Sequence, residues 1–326
     1  MGDIRKMLNP RSIALIGASE KEGSIGRAIL ENLLLSKDRE IYAVNPNRKK
    51  VSGLQCYPSI ADIGRQIDLA VVATPASTVP GIAMECADAK TEGIAVISSG
   101  FSETGEQGKR FQEKLVEIRK TTGLRIIGPN CLGVVIPNIG LYATFLKTHP
   151  APGIVAFISQ SGALGDAIVD WGISNHIGFS FFTSLGSMID VDFSDIIDFL
   201  QDDYFTRSIM LYMEHVENAK KFISAARGFA RSKPIVVFKP GRFPGSIDAV
   251  KSNAGKDIGD DNVYDAAFKR LGLVRVKEME DLFDAAKVLA SKSLPRGPRL
   301  AIITNVGGVG IIANDALIEH KGQLAR

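Results

Sequence analysis

Two stretches of small and polar residues carry the groups in this chain that could do chemistry. In residues 153–170, the apolar run 154–159 predicts a buried strand, residues 160–165 a small-residue turn, and a helix is expected from Ala167. A turn of Ser, Gly and Ala lets a ligand approach the backbone. The helix behind it offers free N–H groups at the positive end of its dipole. Ser159, Gln160, Ser161, Gly162 and Ala163 are therefore candidates to hold a phosphate or carboxylate. The second stretch is the long loop 239–259, where Lys251 and Lys256 could attract phosphate.

A third candidate lies at the start of the chain. A strand over 12–17 runs into a glycine-bearing turn with Gly17, Gly23 and Gly26, and a helix over 27–35 follows. The glycine spacing is longer than G-x-G-x-x-G, which weakens a dinucleotide reading. The next strand, 40–44, ends in Asn45-Pro46, where an NAD dehydrogenase usually carries Asp or Glu for the ribose hydroxyl. Arg48-Lys49-Lys50 follows, charge enough for one phosphate group.

The elements that must position these groups alternate along the chain. Further strands are expected at 69–73, 94–98, 124–127, 179–184, 208–213, 235–238 and 300–304. Helices are expected at 79–89, 106–121, 193–201, 219–230, 263–271 and 311–320. Strict alternation predicts parallel, doubly wound α/β sheets, with ligands at the carboxyl ends of the strands. The prolines of 149–153 read as a linker, giving domains at 1–147 and 148–292. The stretch RLAIITNVGGVGIIANDAL echoes IVAFISQSGALGDAIVDW. About 35 residues follow Ser291, too few for an independent core, so 293–326 reads as the start of a third α/β domain that does not finish. Exposed edges of such a unit would favour a homo-oligomer.

Bulk properties exclude several classes. Net charge is +3 with no long basic run, so nucleic acid is not implied. No apolar run reaches ~18 residues, and MGDIRKMLNP lacks the apolar core of a signal peptide, so neither a membrane span nor secretion is expected. Cys56, Cys86 and Cys131 show no metal spacing and no paired framework, and free thiols suit a reducing cytoplasm. No metal site is expected. Cys131 follows Pro129-Asn130 in a turn but has no histidine nearby in sequence, so burial is its expected fate.

Several motifs, in this order, carry a resemblance. They are Gly17-Ala18-Ser19, Val44-Asn45-Pro46, Thr74-Pro75-Ala76, Ser99-Gly100-Phe101-Ser102, Gly128-Pro129-Asn130-Cys131-Leu132-Gly133, Ser159-Gln160-Ser161-Gly162-Ala163-Leu164-Gly165 and Val263-Tyr264-Asp265-Ala266. Over essentially its whole length the chain resembles the CoA-binding and ligase region of NDP-forming acyl-CoA synthetases, relatives of the succinyl-CoA synthetase alpha subunit. The resemblance implies a Rossmann-like CoA-binding domain followed by a flavodoxin-like ligase domain. It implies the reaction acid + CoA + ATP = acyl-CoA + ADP + phosphate, run through an acyl phosphate and a phosphohistidine. ATP or ADP with Mg would enter through an ATP-grasp subunit or a downstream portion. CoA phosphates would lie at Gly17, Ala18, Ser19 and Gly26. The pantetheine arm would lie along Asn45, Pro46, Thr74, Pro75, Ser99, Gly100, Phe101 and Asn130. Lys49 would meet the 3′-phosphate by charge attraction, and Ser161-Gly162-Ala163 would hold the phosphoryl group.

One position departs from that pattern. The family histidine lies in a Ser-His-Thr-Gly loop before Val-Tyr-Asp-Ala, and the loop here reads Ser252-Asn253-Ala254-Gly255. Asn253 thus stands at the histidine position. Imidazole has a lone pair that can carry a phosphoryl group, whereas an amide can only hydrogen-bond one. Glu214 stands where the family has the glutamate that orients the histidine. Its neighbour His215 is expected to face away from it, because neighbours on a strand point to opposite faces. Two functions fit: a synthetase component whose phosphohistidine step is lost at Asn253, and a catalytically silent regulatory module binding CoA or acyl-CoA. Enzyme activity is left open between them.

Overall fold

The computed structural model describes residues 2–36, 38–243, 245–246, 259–289 and 297–325. The chain divides into a unit over Met1–Ala290 and a second over Ser291–Arg326.

The first unit holds two seven-stranded sheets. The first sheet comprises β1 (Ser12–Ile16), β2 (Glu40–Val44), β3 (Lys50–Val51), β4 (Leu54–Tyr57), β5 (Leu69–Val72), β6 (Gly93–Val96) and β7 (Arg125–Ile127), in the order β3-β4-β2-β1-β5-β6-β7. All pairings are parallel except β3 with β4. SIALI, LAVV and GIAV are buried along their whole length, as strands covered on both faces must be. Helices α1 (Ile4–Leu8), α2 (Ile25–Leu34), α3 (Val79–Asp88) and α4 (Glu106–Thr122) complete this half. Ser24 caps α2 by accepting from the Arg27 N–H. The helix enters close above the first turn: a Cβ on Gly26 would lie 2.1 Å from the Gly17 carbonyl oxygen, so only glycine fits there.

The second sheet comprises β8 (Gly133–Ile136), β9 (Leu141–Thr144), β10 (Pro152–Ser159), β11 (Phe179–Ser184), β12 (Ser208–Tyr212), β13 (Ile235–Phe238) and β14 (Val274–Val276). Its order is β14-β13-β12-β10-β11-β8-β9, parallel up to β11 and antiparallel beyond. Its helices are α5 (Gly165–Ser174), α6 (Phe193–Gln201), α7 (Ala219–Ala230), α8 (Asp261–Leu271) and α9 (Met279–Leu289). Chain order reverses between β10 and β12, and the turns after these two strands open onto the same crevice.

Sheet membership changes at Gly133, ahead of the division expected at 147/148. The β8–β9 hairpin pairs antiparallel with β11, so the second sheet starts before the proline-rich linker, and β10 already begins at Pro152. The two sheets are clamped together through Asp190 in the loop after β11. Its fully buried carboxylate accepts from Arg119 and Arg125 at 2.8 Å each and from the Ile126 N–H at 2.9 Å. Arg125 also reaches Asp195, which with Asp192 holds Lys221 on α7.

In the second unit, β15 (Arg299–Leu300) and β16 (Gln323–Leu324) form a parallel pair beside helix α10 (Gly307–Glu319). The strand expected over 300–304 is thus confined to Arg299–Leu300, and α10 has no buried residue.

Candidate functional site

A cleft of about 550 Å³ opens at the carboxyl ends of the strands. From the first half it takes Ile25, Ser99, Glu103 and Asn130. From the second it takes Gln160–Ala163, Gly186, Ser187, Glu214 and His215. The loop after β11 reaches this cleft by running against the turn after β7, where Ser187 N–H donates to the Pro129 carbonyl at 2.9 Å. Gly186 makes this passage with φ of 56°, and a Cβ there would sit 2.1 Å from the Pro129 oxygen.

The turn after β10 spends much of its polar capacity on itself. The Ser159 hydroxyl donates to the Ser161 carbonyl at 2.7 Å and accepts the Ser161 N–H at 3.0 Å. Gln160 N–H donates to Tyr212 O, and its side-chain oxygen accepts the N–H groups of Glu214 and His215. What remains for a ligand is the Ser161 hydroxyl and the N–H groups of Gly162 and Ala163, none of which has a partner among the described residues. These lead into α5, whose positive end faces the same space. Of the expected phosphate ligands, Ser159 and Gln160 thus have their side-chain oxygens tied within the protein, while Gln160 still lines the cleft with Ser161, Gly162 and Ala163.

Glu103, Asp166 and Glu214 are the carboxylates of the cleft, and no Lys or Arg is among its described lining. The positive potential of the cleft comes from backbone dipoles alone among its described lining. Glu103 accepts the Gly100 N–H at 2.6 Å. The Glu214 carboxylate has no hydrogen-bond partner among the described residues, although its N–H is tied to Gln160. Burial raises its pKa, partly offset by His215 and Lys239. Lys239 is wholly buried 4.4 Å over the Tyr264 ring, and burial pushes its ammonium below the usual lysine range. Asn253, Lys251 and Lys256 lie outside the described residues.

His215 lines the cleft beside Glu214 rather than facing away from it. β12 ends at Tyr212, so strand alternation no longer governs residues 214 and 215.

The candidate CoA residues distribute along the same edge of the first sheet. Ser99 and Asn130 line the cleft. Gly17, Ala18 and Ser19 follow β1, with Gly17 and Ala18 donating to Val44 O. Asn45 Nδ2 donates to Ala18 O at 2.9 Å, so this side chain ties two strand-end turns together. Gly26 is buried under its turn, and Pro46 and Lys49 are exposed. Thr74 and Pro75 follow β5, where the Thr74 hydroxyl accepts from Thr78. Gly100 has φ of 102°, while Phe101 is fully buried, its ring in the core of the first half.

Cys131 donates its thiol to Val96 O at 3.2 Å, and burial pushes its pKa up to about 12, which disfavours a thiolate nucleophile there. Among the described residues no group of three His, Cys, Asp or Glu could hold a metal ion, and no helix is long and apolar enough to cross a membrane.

Two doubly wound sheets, sharing a cleft lined at the second switch point by open backbone N–H groups, define a two-domain α/β protein. Comparison with known proteins narrows this. Residues 11–137 match the CoA binding domain model, and residues 152–289 match the succinyl-CoA ligase like flavodoxin domain model. The chain is 41% identical to the alpha subunit of acetate–CoA ligase [ADP-forming] I from Pyrococcus furiosus, over 97% of this chain and 70% of that one. It is 39% identical to acetate–CoA ligase [ADP-forming] I of Archaeoglobus fulgidus, over 99% of this chain and 47% of that one. The chain thus spans less than half the length of that relative. A solved structure of the dinucleotide-forming acetyl-coenzyme A synthetase 1 of Ca. Korarchaeum cryptofilum, in complex with phosphate and ADP, superposes with TM-score 0.94 at 36% identity. That match covers all of this chain and 70% of the other. The chain belongs to the family of ADP-forming acyl-CoA synthetases and corresponds to their alpha-type portion.

Proposed function

We propose that this chain is the CoA-binding, alpha-type component of an ADP-forming acyl-CoA synthetase, and that it does not carry a phosphoryl group on residue 253. The observation that carries this reading is the Glu214 carboxylate, half-buried, unpartnered among the described residues and set beside the Ser161–Ala163 cradle. A carboxylate there suits the task of orienting an imidazole. Asn253 supplies none, because an amide nitrogen has no free lone pair to attack phosphorus. CoA would lie along the strand-end turns of the first sheet, its reactive end toward Ser99 and Asn130. The acyl phosphate would sit on the open N–H groups of Gly162 and Ala163. Thiol attack on the acyl carbon breaks the acyl–oxygen bond, releases phosphate and passes the thiol proton to it. ATP or ADP with Mg would bind on an ATP-grasp subunit or domain.

The half-reaction tests this. Acyl phosphate and CoA mixed with this chain alone should yield acyl-CoA and phosphate above the uncatalysed rate. Absence of both that rate and any calorimetric heat with CoA would refute the assignment. A second reading, a regulatory module that binds CoA or acyl-CoA without chemistry, is favoured by Asn253. It is the outcome if CoA binds and the half-reaction fails.

A further inference from the structure

The turn after β7 brings an uncommitted amide to the cleft. Asn130 stands there in the left-handed region, with φ of 59°, a conformation that asparagine tolerates better than most side chains. The turn is pinned from both halves. Asn130 N–H donates to Ser98 O at 3.0 Å, and Pro129 O accepts from Ser187 N–H at 2.9 Å. A Cβ on Gly162 would lie 4.0 Å from the Asn130 carbonyl oxygen, so this turn and the Ser161–Ala163 cradle stand side by side. Asn130 is exposed, lines the cleft, and has no side-chain hydrogen-bond partner among the described residues. The other amide of the lining, Gln160, is engaged at both ends. Its Oε1 accepts the N–H groups of Glu214 and His215, and its Nε2 lies 2.6 and 3.2 Å from the ring nitrogens of His215.

Given the proposed function, on which this rests, we infer that the Asn130 amide is a catalytic residue that donates a hydrogen bond to the acyl carbonyl oxygen while the CoA thiol attacks the acyl phosphate. In that step sulfur bonds to the acyl carbon and the carbonyl π pair moves onto oxygen. The pair then returns, the bond from the acyl carbon to the phosphate oxygen breaks, and the released phosphate takes the thiol proton. Negative charge thus develops on the carbonyl oxygen beside a phosphoryl group that is already anionic. The described lining holds Glu103, Asp166 and Glu214 and no Lys or Arg, so a fixed neutral donor must meet that charge. With the N–H groups of Gly162 and Ala163 taken by the phosphoryl group, the carbonyl falls to the neighbouring turn, on the side where Ser99 lines the cleft. An amide NH2 suits the task because it can only donate, whereas a serine hydroxyl also accepts and rotates. The pinned turn holds it in place before charge develops.

The half-reaction of acyl phosphate with CoA on the full chain gives the readout. Asn130→Gly keeps the left-handed turn and removes the amide, and Asn130→Asp keeps the shape but replaces the donor with an acceptor. Both variants should bind CoA within about 2-fold of the parent by calorimetry, and both should lose about 10²-fold in kcat. If Asn130 only holds the pantetheine arm, as the resemblance implies, KM for CoA rises while kcat stays, and the inference is overturned. Parent-like kcat and KM in Asn130→Gly would overturn it equally, and would leave the proposed function standing. A parent without any rate would refute the catalytic reading of the chain and this inference together.

Discussion

The backbone N–H of Glu214 donates to Oε1 of Gln160 at 2.8 Å, joining the end of β12 to the phosphate turn after β10. The bond crosses the point where strand order reverses, so it sets the position of the Glu214 carboxylate relative to the cradle. Gln160 thereby braces the turn, and the Ser161 hydroxyl and the N–H groups of Gly162 and Ala163 stay open among the described residues.

Ser161 and Ser159 should therefore respond differently to loss of their hydroxyls. Ser161→Ala should weaken inorganic phosphate binding about 3- to 10-fold with little change in melting temperature. Ser159→Ala should cost about 1–2 kcal/mol of stability, because a buried hydroxyl that both donates and accepts is lost. Calorimetric titration and denaturant melts separate the two effects.

Glu214→Gln should raise the melting temperature at neutral pH by about 1–2 °C. Burial raises the pKa of this group in the folded state above its unfolded value. The favourable contribution of its protonated form is complete below the unfolded pKa and is lost as pH rises through the folded one. The gain from glutamine should accordingly vanish in acid, and melts across pH check this.

Asp190→Ala should cost about 3 kcal/mol, because it removes the buried carboxylate shared by Arg119 and Arg125 and leaves the mostly buried Arg125 with Asp195 alone. It should also free the loop that brings Ser187 to the cleft. Denaturant unfolding measures the first effect, and amide exchange at residues 186–191 the second.

Asn253→His should install a phosphoryl acceptor. With ATP, Mg and an ATP-grasp partner, this variant should gain acid-labile phosphate that the parent lacks, and Ala254→Thr should increase it by restoring the family loop. Radiolabel incorporation at alkaline and acid pH reads the difference.

Much of the scaffold was legible in the residues. The runs at 179–184, 193–201, 219–230 and 235–238 fold over those spans, because each presents one apolar pattern bounded by turn residues. The β8–β9 hairpin was missed, since Gly133–Ile136 is a short run lying ahead of the proline signal taken as a domain edge. Within the site, residue type and spacing identified the turn but not the use of its atoms. That Gln160 would turn to Glu214 and His215, 54 and 55 positions away, depends on how two strands pair. The same holds for Asp190, whose partners Arg119 and Arg125 lie 71 and 65 positions distant. His215 was misplaced because alternation was carried past Tyr212, where the strand stops. Phe101, placed along the pantetheine arm by the resemblance, has its ring in the core of the first half.

The central claim is that the cradle persists while the phosphoryl shuttle is missing. Mass spectrometry of the full chain, taken under alkaline conditions during turnover with labelled ATP, Mg and an ATP-grasp partner, addresses it most directly. The account predicts a chain with no phosphorylated imidazole at any position. A phosphohistidine on this chain, formed and discharged at the rate of turnover, would contradict it.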